Sequence, residues 1–223
     1  MHSAPTSIRR TEFEQLAASF LDAFPESPLA ANVLAAVGSS RLSRGEHAAA
    51  IEPFQDALEE GARDHIAAQC HAGLAVCLAA THDFAEARQQ LSHLRQRHVQ
   101  HWDVPATVYE VAEVAYAGGA RDIAADLFEQ VATAGGAAEL TAKALEGLAW
   151  AQLRQEDLLS SAETFEKLIE QIPNDPRAAE AWIAVQIAGS WGPRRAASLK
   201  CGLLTPAGQR CHDLSTLGVC VNI

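Results

Sequence analysis

Long hydrophobic runs, basic clusters and cysteine pairs are scarce in this chain of 223 residues, and each scarcity excludes something. The longest uncharged stretch, Ile66 to Thr81, is rich in alanine and includes Gln69 and His71. It does not read as a membrane span, which needs about 20 predominantly apolar residues. A formal charge of −11 argues against nucleic-acid binding, which calls for a basic stripe. Five cysteines make an odd, sparse set and point to a reducing compartment. Glu12 and Glu14 stand where a secretory signal would carry its apolar core, so a cytoplasmic protein is expected. The patterns G-x-x-x-x-G-K-[ST], H-E-x-x-H, G-x-S-x-G and G-x-G-x-x-G do not occur. With them go the common phosphate cradles, zinc sites and nucleophile elbows. No catalytic residue, metal site or cofactor is expected.

What the chain has is alanine, 45 residues or about a fifth, against 14 Gly and 9 Pro. That composition favours helix. Charge is uneven. Residues 1–191 carry 13 Lys+Arg and 27 Asp+Glu, a net of −14, whereas residues 192–223 carry four against one, a net of +3. Three cysteines, Cys201, Cys211 and Cys220, also fall in that last segment. A boundary is therefore expected near Gly192.

Between the ends runs a repeat. Phe54, Leu91, Phe128 and Phe165 are spaced by 37 residues, and four residues before each stands Ala50, Ala87, Ala124 or Ser161. A second ladder with the same step reads Leu34, His71, Val108, Leu145 and Trp182, with Val37, Leu74, Val111, Leu148 and Val185 three residues on. Apolar spacings of 3, 4 and 7 within each period predict two amphipathic helices. Short breakers separate them: Arg44-Gly45-Glu46, His82-Asp83, Gly118-Gly119 and Glu156-Asp157. Glycine suits a left-handed residue that closes the first helix, and aspartate a cap that opens the second. One such pair cannot bury its apolar stripe, but stacked pairs can, which predicts an all-α superhelical solenoid.

The expected organisation is an N-terminal arm (1–10), a cap helix (11–23), and repeats at about 27–62, 64–99, 104–136 and 139–173. A terminal helix (176–191) and an irregular tail (192–223) follow. Thr11 to Glu14 reads as a loose capping box that opens the first helix. Ser27 and Asp175 read as caps of helices that begin at proline.

The ladders resemble the tetratricopeptide repeat, whose large residue, Leu-Gly, turn Gly, small residue and Phe are met by Leu34, Val37-Gly38, Gly45, Ala50 and Phe54. The resemblance covers residues 11–191. The period of 37 and the P-x-S/D-P-x-A form of Pro25 to Ala30 and Pro173 to Ala178 are similar to repeats of bacterial envelope proteins, notably the Tol-Pal coordinator and outer-membrane assembly lipoproteins. The resemblance implies a right-handed solenoid acting as a protein–protein interaction scaffold, which binds a partner segment in the concave groove of its first helices. It also allows a rival, in which the array is a regulatory part of a larger enzyme such as a glycosyl- or sulfotransferase, with the catalytic domain beyond residue 191.

One slot after the Leu34 ladder, then four and seven further on, lies the projected groove face. It is Ala35, Ser39 and Leu42 in the first repeat, then Ala72, Val76 and Ala79 in the second. Tyr109, Glu113 and Tyr116 follow in the third, and Glu146, Trp150 and Leu153 in the fourth. Tyrosine and tryptophan offer a large apolar area with a polar handle. Tyr109, Glu113, Tyr116, Glu146 and Trp150 are therefore the candidate partner-binding residues, and an apolar or basic peptide is the expected occupant. Packing of these rings between neighbouring first helices is the other reading. Related co-chaperone arrays grip a C-terminal carboxylate with Lys and Asn, residues that these slots lack. Cys70 and Cys77, about 10 Å apart along a helix, read as buried structural thiols. His93, His98 and His101 lack the i, i+4 spacing of a helical zinc site and read as a solvated helix end. Cys201, Cys211, His212 and Cys220 have irregular gaps and carry no zinc pattern.

Overall fold

The computed structural model describes the backbone of residues 6–100 and 102–191, and the side chains of residues 12–100 and 102–186. Ten helices account for nearly all of it: α1 (Thr6–Ala23), α2 (Ala30–Leu42), α3 (His47–Glu59), α4 (Asp64–Ala80), α5 (Phe84–Arg97), α6 (Val104–Ala117), α7 (Arg121–Thr133), α8 (Ala138–Arg154), α9 (Leu158–Gln171) and α10 (Pro176–Trp191). No strand occurs among the described residues. Each helix packs mainly on its chain neighbour, and the first helices of successive pairs also touch. The result is an all-α array of stacked helix pairs. The tail 192–223, the boundary at Gly192 and His101 lie outside the described residues.

Turn chemistry explains the helix ends. Gly45 (φ 73°) and Gly119 (φ 84°) close α2 and α6 in the left-handed region, where a Cβ is unfavourable. Asp83, Asp103 and Asp157 each accept from a backbone N–H three residues on, at 3.2 Å, and so cap α5, α6 and α9. The expected proline caps divide. Asp175 accepts from the N–H of Arg177 at 2.9 Å and opens α10 at Pro176. Ser27 instead accepts from Leu29 N–H, and α2 begins only at Ala30. The first helix also starts earlier than the capping-box pattern suggests, with Thr11 inside α1 rather than at its head. Pro53 sits inside α3, where it removes one i to i−4 hydrogen bond. The carbonyl it leaves free, that of Ala49, accepts from the Arg41 guanidinium at 2.8 Å instead.

The phenylalanine ladder is the spine of the core. Phe54, Phe128 and Phe165 are buried, each in the second helix of its pair. Their rings replace missing side chains on the first helices. A Cβ built on Gly38 of α2 or Gly73 of α4 would come within 2.7 and 2.4 Å of the Phe54 ring, and one on Gly147 of α8 within 2.6 Å of Phe128. Phe54 thus fills space between its own pair and the next, as stacked repeats require. One buried cluster runs from Ala35 to Leu148, and a second from Ala142 to Val185. Two junctions are thin. Helix α1 rests lightly on α2, tied by Glu14 to Arg41 and Arg44 and leaving Leu16 and Phe24 exposed. Helix α5 packs closely on α4 but touches α6 little.

Candidate functional site

The first helices α2, α4, α6, α8 and α10 line one side of the array, and their spacing decides what that side exposes. Helix α4 lies close to both α2 and α6, whereas α6 and α8 touch less. Alanine permits the close approach. As a result Ala35, Ala72, Val76 and Ala79, projected onto the groove, are buried, and the face is closed at α4. From α6 onward it opens. Glu113 is exposed, while Tyr109, Tyr116, Glu146 and Trp150 are half-buried.

Both packing and exposure apply to the rings. Tyr109 lies 5.6 Å from the ring of buried Phe128, and Trp150 makes an edge-on contact at 5.2 Å with buried Phe165. Tyr116 packs against the first core cluster. Each aromatic anchor is therefore positioned by the core, with its remaining surface free, a low-entropy way to offer apolar area.

Electrostatics link α6 to α8 and α10. Burial pushes the Tyr109 hydroxyl up to about 12, with Glu113 and Glu146 adding to the rise and Arg177 opposing it. The Glu146 carboxyl is also raised, chiefly by burial and partly by Glu180, Asp175 and Glu113, again against Arg177. Glu113 and Glu146 thus act on one tyrosine. The cation acting on Tyr109 and Glu146 is Arg177, but its guanidinium is mainly engaged by Asp175 (2.9 Å) and Glu139 (3.0 Å) and reaches Glu146 only at 4.0 Å. Charge on this face remains predominantly negative.

Arg177, Glu180 and Ile183 are the residues that the projected face omitted. The signal for Ile183 was available, since 35, 72, 109, 146 and 183 form one ladder. Ile183 is 55% exposed on the same register of α10. Arg177 belongs to no ladder and acts through the length of its side chain.

Cys70 and Cys77 are buried free thiols. Burial pushes them up to about 12 and about 11, Glu110 adding to the second, so neither is a ready nucleophile. The histidines differ from the solvated helix end expected of them. His93 and His98 are half-buried and lie against His71, because the end of α5 folds back over α4. Among the described residues no group of three His, Cys, Asp or Glu could hold a metal ion, and no helix is long and apolar enough to cross a membrane.

No family model matches the chain, and no curated protein matches it. Among solved structures it is similar to one described as a functional characterisation of pilF from Pseudomonas aeruginosa. That match is 18% identical and covers 72% of this chain and 73% of the other, with a TM-score of 0.46. So loose a likeness carries no inference about what this chain binds. The face spanning α6, α8 and α10 has to speak for itself.

Proposed function

We propose that the chain is a protein–protein interaction scaffold, and that the face built from Tyr109, Glu113, Tyr116, Glu146 and Trp150 receives an apolar or basic segment of another protein. One observation carries the reading. Core-anchored aromatic rings with free surface flank a half-buried carboxylate whose own cation is engaged elsewhere. Aromatic residues held in this way are typical binding anchors. A carboxylate between them that is only partly compensated favours a cationic side chain, which the surplus of negative charge over residues 1–191 would also steer inward. The resemblance to bacterial envelope repeats belongs with this proposal, because those arrays are assembly and coordination proteins. The test is a peptide display selection on the whole chain. Enrichment of peptides that combine lysine or arginine with bulky apolar residues is expected. Their loss when Glu113→Lys and Glu146→Lys are introduced together would place them on this face. Enrichment of acidic peptides, or selection indifferent to both substitutions, contradicts the reading.

A further inference from the structure

The ladder position occupied by Leu34, Val108, Leu145 and Trp182 in the other first helices holds His71 in α4. That ring is half-buried, 5.3 Å from His93 in a stacked arrangement and 5.5 Å from His98. Its Nδ1–H donates to Gln90 Oε1 at 2.7 Å. His98 stands at the end of α5, and its counterpart two periods on, Ile172, packs against the second core cluster together with Leu145. The second repeat thus puts imidazoles at two positions where the fourth repeat packs Leu145 and Ile172. An imidazole suits such a slot better neutral than charged.

We propose that His71, packed against His93 and His98, makes the α4–α5 contact an acid-sensitive joint: its neutral ring holds α5 onto α4, and a proton on it releases α5. Only the Gln90 bond favours a proton on His71. Besides Gln90, the groups that act on its ring are His93, His98 and Arg97, all on α5, all cationic or able to become so. No carboxylate of α2, α3 or α6 acts on it. Burial, then these neighbours, lower its proton affinity against the favourable Gln90 bond. Below the ordinary imidazole value of about 6.5, the unfolded chain therefore binds a proton that the folded chain resists, and stability is lost as pH falls through and below that point. Contact with α6 is slight, and beyond it α5 is tied to α7 by two exposed bonds, Arg88 to Asp126 at 2.9 Å and Arg95 to Gln130 at 3.1 Å, so release has these to break as well as its packing on α4.

The test compares the full chain with His71→Leu and with the double variant His71→Leu/His98→Ile, which install the fourth repeat's residues. Unfolding constants are measured at pH 7.5 and 5.5 with a chelator present, and amide exchange is mapped at both values. One histidine that stays neutral in the fold raises the unfolding constant at pH 5.5 by up to about tenfold. The wild type should show this excess acid sensitivity over His71→Leu, with faster exchange concentrated in α4 and α5 rather than α7 to α9. Equal acid sensitivity in wild type and variant overturns the proposal, as does acceleration spread evenly over all helices. If a variant does not fold, titration of the His71 ring in the wild type decides. A midpoint below the ordinary value supports the joint, and one at or above it overturns it.

Discussion

Helix pairs α4–α5 and α8–α9 stand two periods apart, share one backbone plan, and fill it with different chemistry. Both pairs place an aspartate cap, Asp83 or Asp157, at the head of the second helix. Both place a glycine, Gly73 or Gly147, against a phenylalanine of the preceding pair. Both also use a non-glycine residue in the left-handed region at the turn, His82 (φ 66°) and Glu156 (φ 64°), where α2 and α6 end on glycine. Elsewhere they diverge. Helix α4 is buried on nearly every side, whereas α8 keeps Glu146 and Trp150 on an open face. The first pair has His71 and His98 where the second has Leu145 and Ile172. Ala87 is matched by Ser161, whose hydroxyl is buried but donates to the Ala149 carbonyl at 2.9 Å. The difference teaches that these two pairs share caps, turns and the glycine–phenylalanine contact, while the remaining slots are free to carry a function.

That comparison can be broken at several points. The largest effect should come from the shared ring: Phe128→Ala is expected to cost about 3–5 kcal/mol in chemical denaturation, and Phe54→Ala a similar amount. A Phe128→Ala protein as stable as the wild type would remove the basis for the ladder. Next come the glycines. Alanine normally stabilises a helix interior by about 1 kcal/mol over glycine. Gly73→Ala and Gly147→Ala should instead lose about 1–3 kcal/mol, because the new methyl meets a ring that is already packed on all sides. If one costs and the other gains, the two junctions are not equivalent.

Exchanging chemistry between the pairs should have a somewhat smaller effect. Leu145→His is expected to cost about 1–3 kcal/mol at neutral pH, from a polar ring in an apolar slot. The loss should deepen below about pH 6.5, as the unfolded chain takes up the proton first. A variant insensitive to pH would show that the slot tolerates charge. The smallest effect concerns the turns. Glu156→Gly should gain about 1 kcal/mol by relieving a left-handed non-glycine residue, and Gly119→Ala should lose about as much. Matched melting curves would test both signs.

Much of this was legible in the sequence. Phenylalanine and alanine at fixed steps, Asp83 and Asp157 ahead of apolar runs, and glycine at Gly45 and Gly119 are local signals, and local signals decide where helices turn. What escaped depends on distance. The burial of Ala72, Val76 and Ala79 follows from how closely α4 approaches α2 and α6, which no single-helix projection contains. Arg177 reaches Glu139 and Glu146 across a helix boundary through its long side chain. His71 meets His98 only because α5 ends by folding back on α4. The early start of α1 was missed because Thr11-x-x-Glu14 imitates a capping box. Of the projected residues, Tyr109, Glu113 and Glu146 are linked electrostatically, and Trp150 lies on α8 with Glu146.

The binding role of that face is tested most directly by the affinity of one selected basic, apolar peptide for the wild type and for Trp150→Ala. Isothermal titration would give Kd, with circular dichroism confirming that each protein is folded. Loss of the indole should weaken binding by about 2 kcal/mol or more, roughly thirtyfold in Kd. An unchanged Kd in a folded Trp150→Ala protein would mean that the partner sits elsewhere, with the convex face formed by the second helices the next surface to examine.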